Sequence, residues 1–250
     1  MTAPALLTSE PKPTGPVARR NHQTVVPLRW WTPPLYSIGR VMARFIWTQT
    51  IVAGVLRKEA AERSGGYILA PTHLSHLEPF IFGALIDRYI DWMSRIEFYG
   101  RWWSSAFLYA VGAFPVRRFG VPITAIRTAI DRAASGRVVG VFPEGGVAVG
   151  QQSLCRGGKA KRGLCLIAYR SNVPVLPCVA LGTHTLNRVG PWLPFRRARL
   201  WIAFGEPIWP DLSLAPRPAR HQMAERLERA YVALYQELLA TYRLDDASIP

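Results

Sequence analysis

Two histidines, His73 and His76, a serine, Ser75, and a glutamate, Glu78, crowd the stretch PTHLSHLEPF directly after the apolar run GYILA. An imidazole beside a carboxylate is the core of a general base. The carboxylate accepts the Nδ1 proton, fixes the tautomer, and leaves Nε2 to take a proton from a hydroxyl. Along one continuous helix the spacing of His73 and Glu78 works against this, because five positions turn about 500°. The pair can meet if His73 lies in a turn before the helix. Pro71 discourages helix and Pro79 suits a first helical turn, so the helix is expected to start near Glu78. Other readings stay open at this point. Ser75-x-x-Glu78 is a capping-box pattern, His73, His76 and Glu78 are metal-ligand types with no further ligand cluster in view, and both histidines could simply occupy a loop.

The elements that must position these residues are legible as alternating patterns. GYILAP (66–71), GAFPV (112–116), RVVGVFP (137–143), VPVLPCVAL (173–181) and ARLWIAFG (198–205) are short, apolar and bounded by Gly, Pro or charge, which reads as buried strands. Residues 123–135 place Ile123, Ile126 and Ile130 at helical spacing, and residues 161–171 form a second helical pattern. Met223, Leu227, Tyr231, Leu234 and Leu238 make a stripe for a docked C-terminal helix, with Met223 as core filler. Strand and helix in alternation predict an α/β sandwich, a single domain with a largely parallel central sheet flanked by helices. In such sheets the loops at the carboxyl ends of strands carry the ligand site. The loops THLSHLE, RRFG and EGGVAVG are therefore expected to gather on one edge.

The formal net charge is +15, and only four of the 31 basic residues are lysines. This favours an anionic partner, although a GC-rich genome biases a chain toward arginine in the same way. Nucleic-acid binding has the charge in its favour but no reader motif. Residues 1–28 are rich in Pro and poor in apolar periodicity, and read as a disordered lead-in. Without a secretory h-region there, the chain is expected on the cytoplasmic face of the membrane, peripheral or monotopic. Residues 29–58 mix Trp30, Trp31, Tyr36, Phe45 and Trp47 with Arg29, Arg40, Arg44 and Arg57. That mixture predicts an amphipathic helix at an anionic membrane surface, and its longest charge-free run is well short of the roughly 20 residues of a span. Residues 101–114 are a second candidate contact, or else a buried helix with two tryptophans. Cys155, Cys165 and Cys178, an odd set without ligand spacing, suit reduced thiols.

These blocks, taken in order, resemble the glycerolipid acyltransferase family of the lysophosphatidic acid acyltransferase type. Its His-x4-Asp block is similar to His73 to Glu78, with Glu for Asp. Its Gly-to-Arg block is similar to GAFPVRR, ending at Arg118. Its Phe-Pro-Glu-Gly block stands unchanged at 142–145, and VPVLP and FGEPI match its later strands. The resemblance covers about residues 60–210 and implies a domain over 59–245. It implies acyl transfer from acyl-CoA or acyl carrier protein to the hydroxyl of a lysophospholipid, with no other cofactor and no metal. In that reading His73 is the base and Glu78 its orienter. Arg118 holds acceptor phosphate, and Ser75, Glu144, Gly145 and Gly146 border the acceptor. The family commonly continues its third block with Thr or Ser and then Arg, whereas this chain has Gly146, Val147 and Ala148. An acceptor with a singly charged or zwitterionic head, or a non-glycerol lipid such as a lyso-ornithine lipid, is therefore expected ahead of lysophosphatidic acid. The rival function is a catalytically silent lipid-binding relative.

Overall fold

A computed structural model describes residue 34 and residues 36–41, 51–110, 112–117, 122–188 and 199–245. Seven strands form one sheet: β1 Ile51–Leu56, β2 Tyr67–Pro71, β3 Ile90–Arg95, β4 Phe114–Val116, β5 Val138–Gly140, β6 Val175–Leu181 and β7 Arg199–Phe204. Their spatial order is β1-β7-β6-β2-β5-β3-β4. Strands β2 to β6 all run parallel, while β7 is antiparallel to β6 and β1 parallel to β7. The expected largely parallel α/β sandwich is observed.

Strands β2 and β6 are buried along their whole length, which explains their unbroken apolar sequences: a strand covered on both faces has no solvent side to alternate with. The pleat still divides them. Ile68 and Ala70 join one core, with Val175 and Val179, while Tyr67 and Leu69 join the other, with Leu176 and Cys178. Helices α3 (Ile123–Ala134), α4 (Gly163–Ser171) and α5 (Pro216–Tyr242) fill the first core. Helix α1 (Glu78–Leu85) covers the second, with Ile81 and Phe82 buried against the sheet. The C-terminal stripe from Met223 to Leu238 is buried as expected. Helix α3 departs from expectation. Its innermost face is Ala125, Ala129 and Ala133, while Ile126 and Ile130 flank it and Ile123 is exposed. Small residues let α3 lie close to its neighbours, and the isoleucines seal its margin.

The N-terminal expectation needs correction. Ile51–Leu56 is an edge strand and not part of an interfacial helix, so the folded domain starts ahead of residue 59. Its β-branched residues suit a strand. A Cβ on Gly54 would fall 2.1 Å from the Tyr242 ring, so glycine lets β1 lie against the end of α5 with that ring in place. Arg57, read as a headgroup contact, instead clamps the domain. It donates to both Glu237 oxygens at 2.5 and 2.6 Å and to the Phe204 carbonyl at 2.7 Å, and its hydrogen bonds hold the Glu237 carboxyl below its ordinary pKa. Arg40 likewise pairs with Asp87 at 2.5 Å. Tyr36, in a short helical stretch at 36–41, packs its ring 4.1 Å from that of Tyr89. The lead-in at 1–28, and Trp30, Trp31, Arg44, Phe45 and Trp47 of the interfacial segment, lie outside the described residues.

Strand β3 was not expected, because IDWMSR carries Asp91 and Arg95. Asp91 is wholly buried and pairs with two guanidinium groups, Arg132 of α3 at 2.9 Å and Arg137 before β5. Arg132 also donates to the Gly112 carbonyl at 2.6 Å. One carboxylate thus ties β3 to α3 and to the starts of β4 and β5. Burial pushes its pKa up to about 6, against the downward pull of the two arginines. Asp91→Ala leaves two half-buried cations without the carboxylate between them. It should lower unfolding stability in a urea titration by about 3–5 kcal/mol, whereas a loss well under about 1 kcal/mol would show the network to be marginal.

Candidate active site

The chain leaves β2 at Pro71, and the last strand contacts fix Thr72: its N–H donates to the Cys178 carbonyl at 3.0 Å and its Oγ1 accepts from the Ala180 N–H at 3.1 Å. His73 is therefore the first residue free of the sheet, sitting at the carboxyl edge. The chain turns through Ser75 and enters α1 at Glu78, with Pro79 in the first turn. That is the entry the proline positions predicted.

His73 Nδ1 lies 2.8 Å from Glu78 Oε2. A carboxylate only accepts, so Nδ1 carries the proton and Nε2 presents its lone pair. Glu78 is 0% exposed. Its other oxygen, Oε1, accepts from the Leu74 N–H at 2.8 Å, the Ser75 N–H at 3.1 Å and the Thr183 hydroxyl at 2.6 Å. The contact of the dyad reading is present on one oxygen, while only half of the capping-box pattern forms on the other: Glu78 accepts from the Ser75 N–H, but the helix is capped at Leu77 with no side-chain hydrogen bond. Ser75 itself is buried, and its hydroxyl accepts from the Leu77 N–H at 3.2 Å, so it braces the turn.

The ring of His73 is held from its face as well. Phe142 stacks on it at 3.9 Å between centroids, and Trp92 stacks on Phe142 at 5.2 Å. Strand β5 delivers Phe142 next to β2, and β3 delivers Trp92 from the far side of β5. Four groups therefore fix the imidazole: a carboxylate, an aromatic stack, and its own main-chain N–H and C=O. The N–H donates to Glu144 Oε2 at 2.8 Å, and the C=O accepts from the Ala148 N–H at 3.1 Å.

Glu144 consequently works inward. Its second oxygen accepts from the Leu154 N–H at 3.0 Å and the Ser153 hydroxyl at 3.3 Å. Burial raises its pKa, opposed by these hydrogen bonds. The carboxylate expected to border the acceptor is thus occupied in joining the His73 loop to the loop after β5. Gly145 follows at φ 74, where a side chain is strained, and its N–H closes a turn on the Phe142 carbonyl at 3.1 Å. Gly145 is exposed, Gly146 half-buried and Val147 exposed. Lys161 reaches this turn: its N–H donates to the Pro143 carbonyl at 2.8 Å, and its side-chain carbons pass 3.4 Å from where a Cβ of Gly145 would stand.

Arg118 lies outside the described residues, and Arg117, just before it, is exposed. Lys159 pairs with Glu228 of α5 at 2.8 Å, and Arg156 lies against Tyr235. Among the candidates to make up for the cation missing after Gly145, Lys161 is thus the one lying along that glycine. The thiols take no part. All three are buried, and burial lifts Cys155 and Cys165 to about 12 and raises Cys178 well above an ordinary thiol.

Sequence reasoning missed Thr183 and gave Phe142 and Trp92 no task. Thr183 follows β6 at the same edge as His73, so the rule that sites form at strand carboxyl ends was the one signal for it.

A family model described as acyltransferase matches residues 54–181. The 1-acyl-sn-glycerol-3-phosphate acyltransferase of Bacillus subtilis (strain 168) is 27% identical over 175 residues, which cover 70% of this chain and 82% of that protein. The crystal structure of the 1-acyl-sn-glycerophosphate (LPA) acyltransferase PlsC from Thermotoga maritima is similar with a TM-score of 0.60, covering 81% of this chain and 79% of that one. At 20% identity the latter is a likeness of fold.

Thr183→Val keeps the shape but removes one of the hydrogen bonds to Glu78. It should cost about 1.5–3 kcal/mol of stability and slow acyl transfer about tenfold by loosening the carboxylate. Thr183→Ser should restore both, as followed by thermal unfolding and initial rates. Wild-type rates in Thr183→Val would mean that the buried carboxylate needs no third anchor.

Proposed function

The chain belongs to the acyltransferase family, and from that premise we propose that it moves a fatty acyl group from a thioester, acyl-CoA or acyl carrier protein, to the hydroxyl of a lysophospholipid during phospholipid biosynthesis. The single observation that carries the reading is the His73–Glu78 pair at 2.8 Å, set at the carboxyl edge of the sheet with Nε2 turned away from its carboxylate.

The mechanism follows from that geometry. Nε2 of His73 takes the proton of the acceptor hydroxyl as the oxygen attacks the thioester carbonyl. The imidazolium that forms is stabilised by Glu78, whose negative charge is kept in place by main-chain and hydroxyl donors. The tetrahedral intermediate collapses, the C–S bond breaks, and the thiolate leaving group receives the proton from Nε2. No acyl-enzyme is required, which agrees with three buried cysteines of raised pKa. Glu144 does not touch substrate in this reading. It holds the His73 main chain to the loop after β5, so it positions the base.

For the acceptor, the placement of Lys161 along Gly145 favours a phosphate monoester of the 1-acyl-glycerol-3-phosphate kind. The ammonium of Lys161 would stand in for the arginine that Gly146, Val147 and Ala148 replace, together with Arg118 at its family position. A second reading has one observation behind it: Val147 is exposed, an apolar surface where a dianionic head would gain nothing. A singly charged or zwitterionic head fits that surface better. The protein is proposed to work at an anionic membrane surface on the cytoplasmic face, in keeping with its charge of +15.

Purified protein, offered acyl-CoA or acyl carrier protein and a panel of lyso-lipids, should acylate lysophosphatidic acid fastest. Lys161→Ala should raise KM for that acceptor about tenfold, the worth of one charge-assisted contact, with kcat retained. Lys159→Ala should change neither, because Lys159 is paired with Glu228. A preference for zwitterionic lyso-lipids that Lys161→Ala leaves untouched would establish the second reading. No transfer to any acceptor would leave a lipid-binding relative without activity.

A further inference from the structure

Helix α2 spans Trp102–Ala110 after a short 3-10 turn at Ile96–Tyr99, and it contributes little to the core. Trp102 is 83% exposed and Tyr109 56%, while Phe98, Trp103 and Phe107 are 40 to 47% exposed. Scattered exposed hydrophobics are ordinary, but five large aromatics within a dozen residues form a patch. The patch does not hold itself in place by burial. Ser105 Oγ donates to the Tyr99 carbonyl at 2.7 Å, the rings of Tyr99 and Tyr109 meet at a tilt with centroids 5.1 Å apart, and the core side of the helix is Leu108. The fold therefore presents these rings outward on a fixed support.

The charge around the rings is mostly positive. Arg101 lies over Trp103 and Arg95 over Phe98, while Arg117 is exposed directly after β4, whose Val116 pairs with Arg95. Glu97 is the one acidic residue between Arg95 and Arg117, and it is paired with Arg95 at 3.5 Å. Indole and phenyl rings mixed with guanidinium groups match the boundary of an anionic bilayer, where rings enter the headgroup layer and arginines meet phosphate. The patch also adjoins the site: the Phe98 ring lies 6.4 Å from that of His76, which lies 5.8 Å from that of His73.

Resting on the reading of a lyso-lipid acceptor, we propose that α2 and the turn before it form the face by which the enzyme docks on an anionic lipid bilayer, setting His73 beside the headgroup layer. The acceptor then presents its hydroxyl to the base while its own chain stays in the bilayer. The docking face falls largely within residues 101–114, the second candidate contact named from the sequence, and stands beside the 29–58 segment without replacing it.

The test uses the full chain and a variant carrying Trp102→Ala, Trp103→Ala and Phe107→Ala, all exposed positions whose loss should spare the fold. Flotation with phosphatidylglycerol and phosphatidylcholine vesicles should show the variant partitioning about tenfold or more weaker. Transfer to lysophosphatidic acid embedded in the same vesicles should fall in step, while transfer to a short-chain, water-soluble lyso-lipid should stay at the wild-type rate. Equal flotation of both proteins would overturn the proposal. So would a wild-type dimer that becomes monomeric in the variant with flotation unchanged, which would make the face a contact between copies, and so would weakened flotation with undiminished transfer to the embedded acceptor. If wild-type protein acylates neither acceptor, the functional reading fails, and flotation still decides the docking face.

Discussion

A carboxylate with no exposure to solvent is costly unless every lone pair is met, and Glu78 meets that demand by collecting donors from two directions. His73 and the Leu74 and Ser75 amides come from its own turn, and the Thr183 hydroxyl comes from beyond β6. Satisfying one buried charge thus fixes the exit from β2, the start of α1 and the exit from β6 relative to one another. The catalytic geometry is a by-product of that satisfaction: the oxygen left over after the main-chain donors and Thr183 are served is the one that orients the imidazole. A second carboxylate, Glu144, repeats the device one loop away and links the His73 main chain to the segment around Leu154.

The parallel core of the sheet supplies the rest. Because β2, β5 and β3 are neighbours running the same way, Phe142 from just beyond β5 and Trp92 from within β3 stack in sequence over His73. Strand β4 ends at the same edge, beyond β3. An edge built this way brings base, turn and aromatic face together while leaving Gly145 exposed for a ligand to approach.

Much of this was written locally in the chain. The His73–Glu78 spacing and flanking prolines gave the turn, and the unbroken apolar runs gave five of the seven strands. Where local reading failed, a long-range partner decided. β3 hides Asp91 by pairing it with arginines 41 and 46 residues away, so its polarity spoke against a strand that tertiary contacts make secure. β1 was absorbed into a stretch rich in Trp and Arg, and Arg57 looked like a headgroup ligand because Glu237, 180 residues on, was invisible from its surroundings. Thr183 stands 105 residues from Glu78 and carries no motif of its own. On α3 the isoleucines drew attention by hydrophobicity, while the close approach to the sheet selects the alanines. Glu144 was singled out by its block as bordering the acceptor, but the block does not say that both its oxygens face the protein.

The account stands or falls on His73 as the base that a buried carboxylate orients. Single-turnover acyl transfer by purified His73→Ala, with circular dichroism and acceptor binding measured on the same sample, tests it most directly. The account predicts an intact fold, retained acceptor binding and a chemical step slowed by about 10²-fold or more. A His73→Ala protein that turns over at the wild-type rate would contradict it.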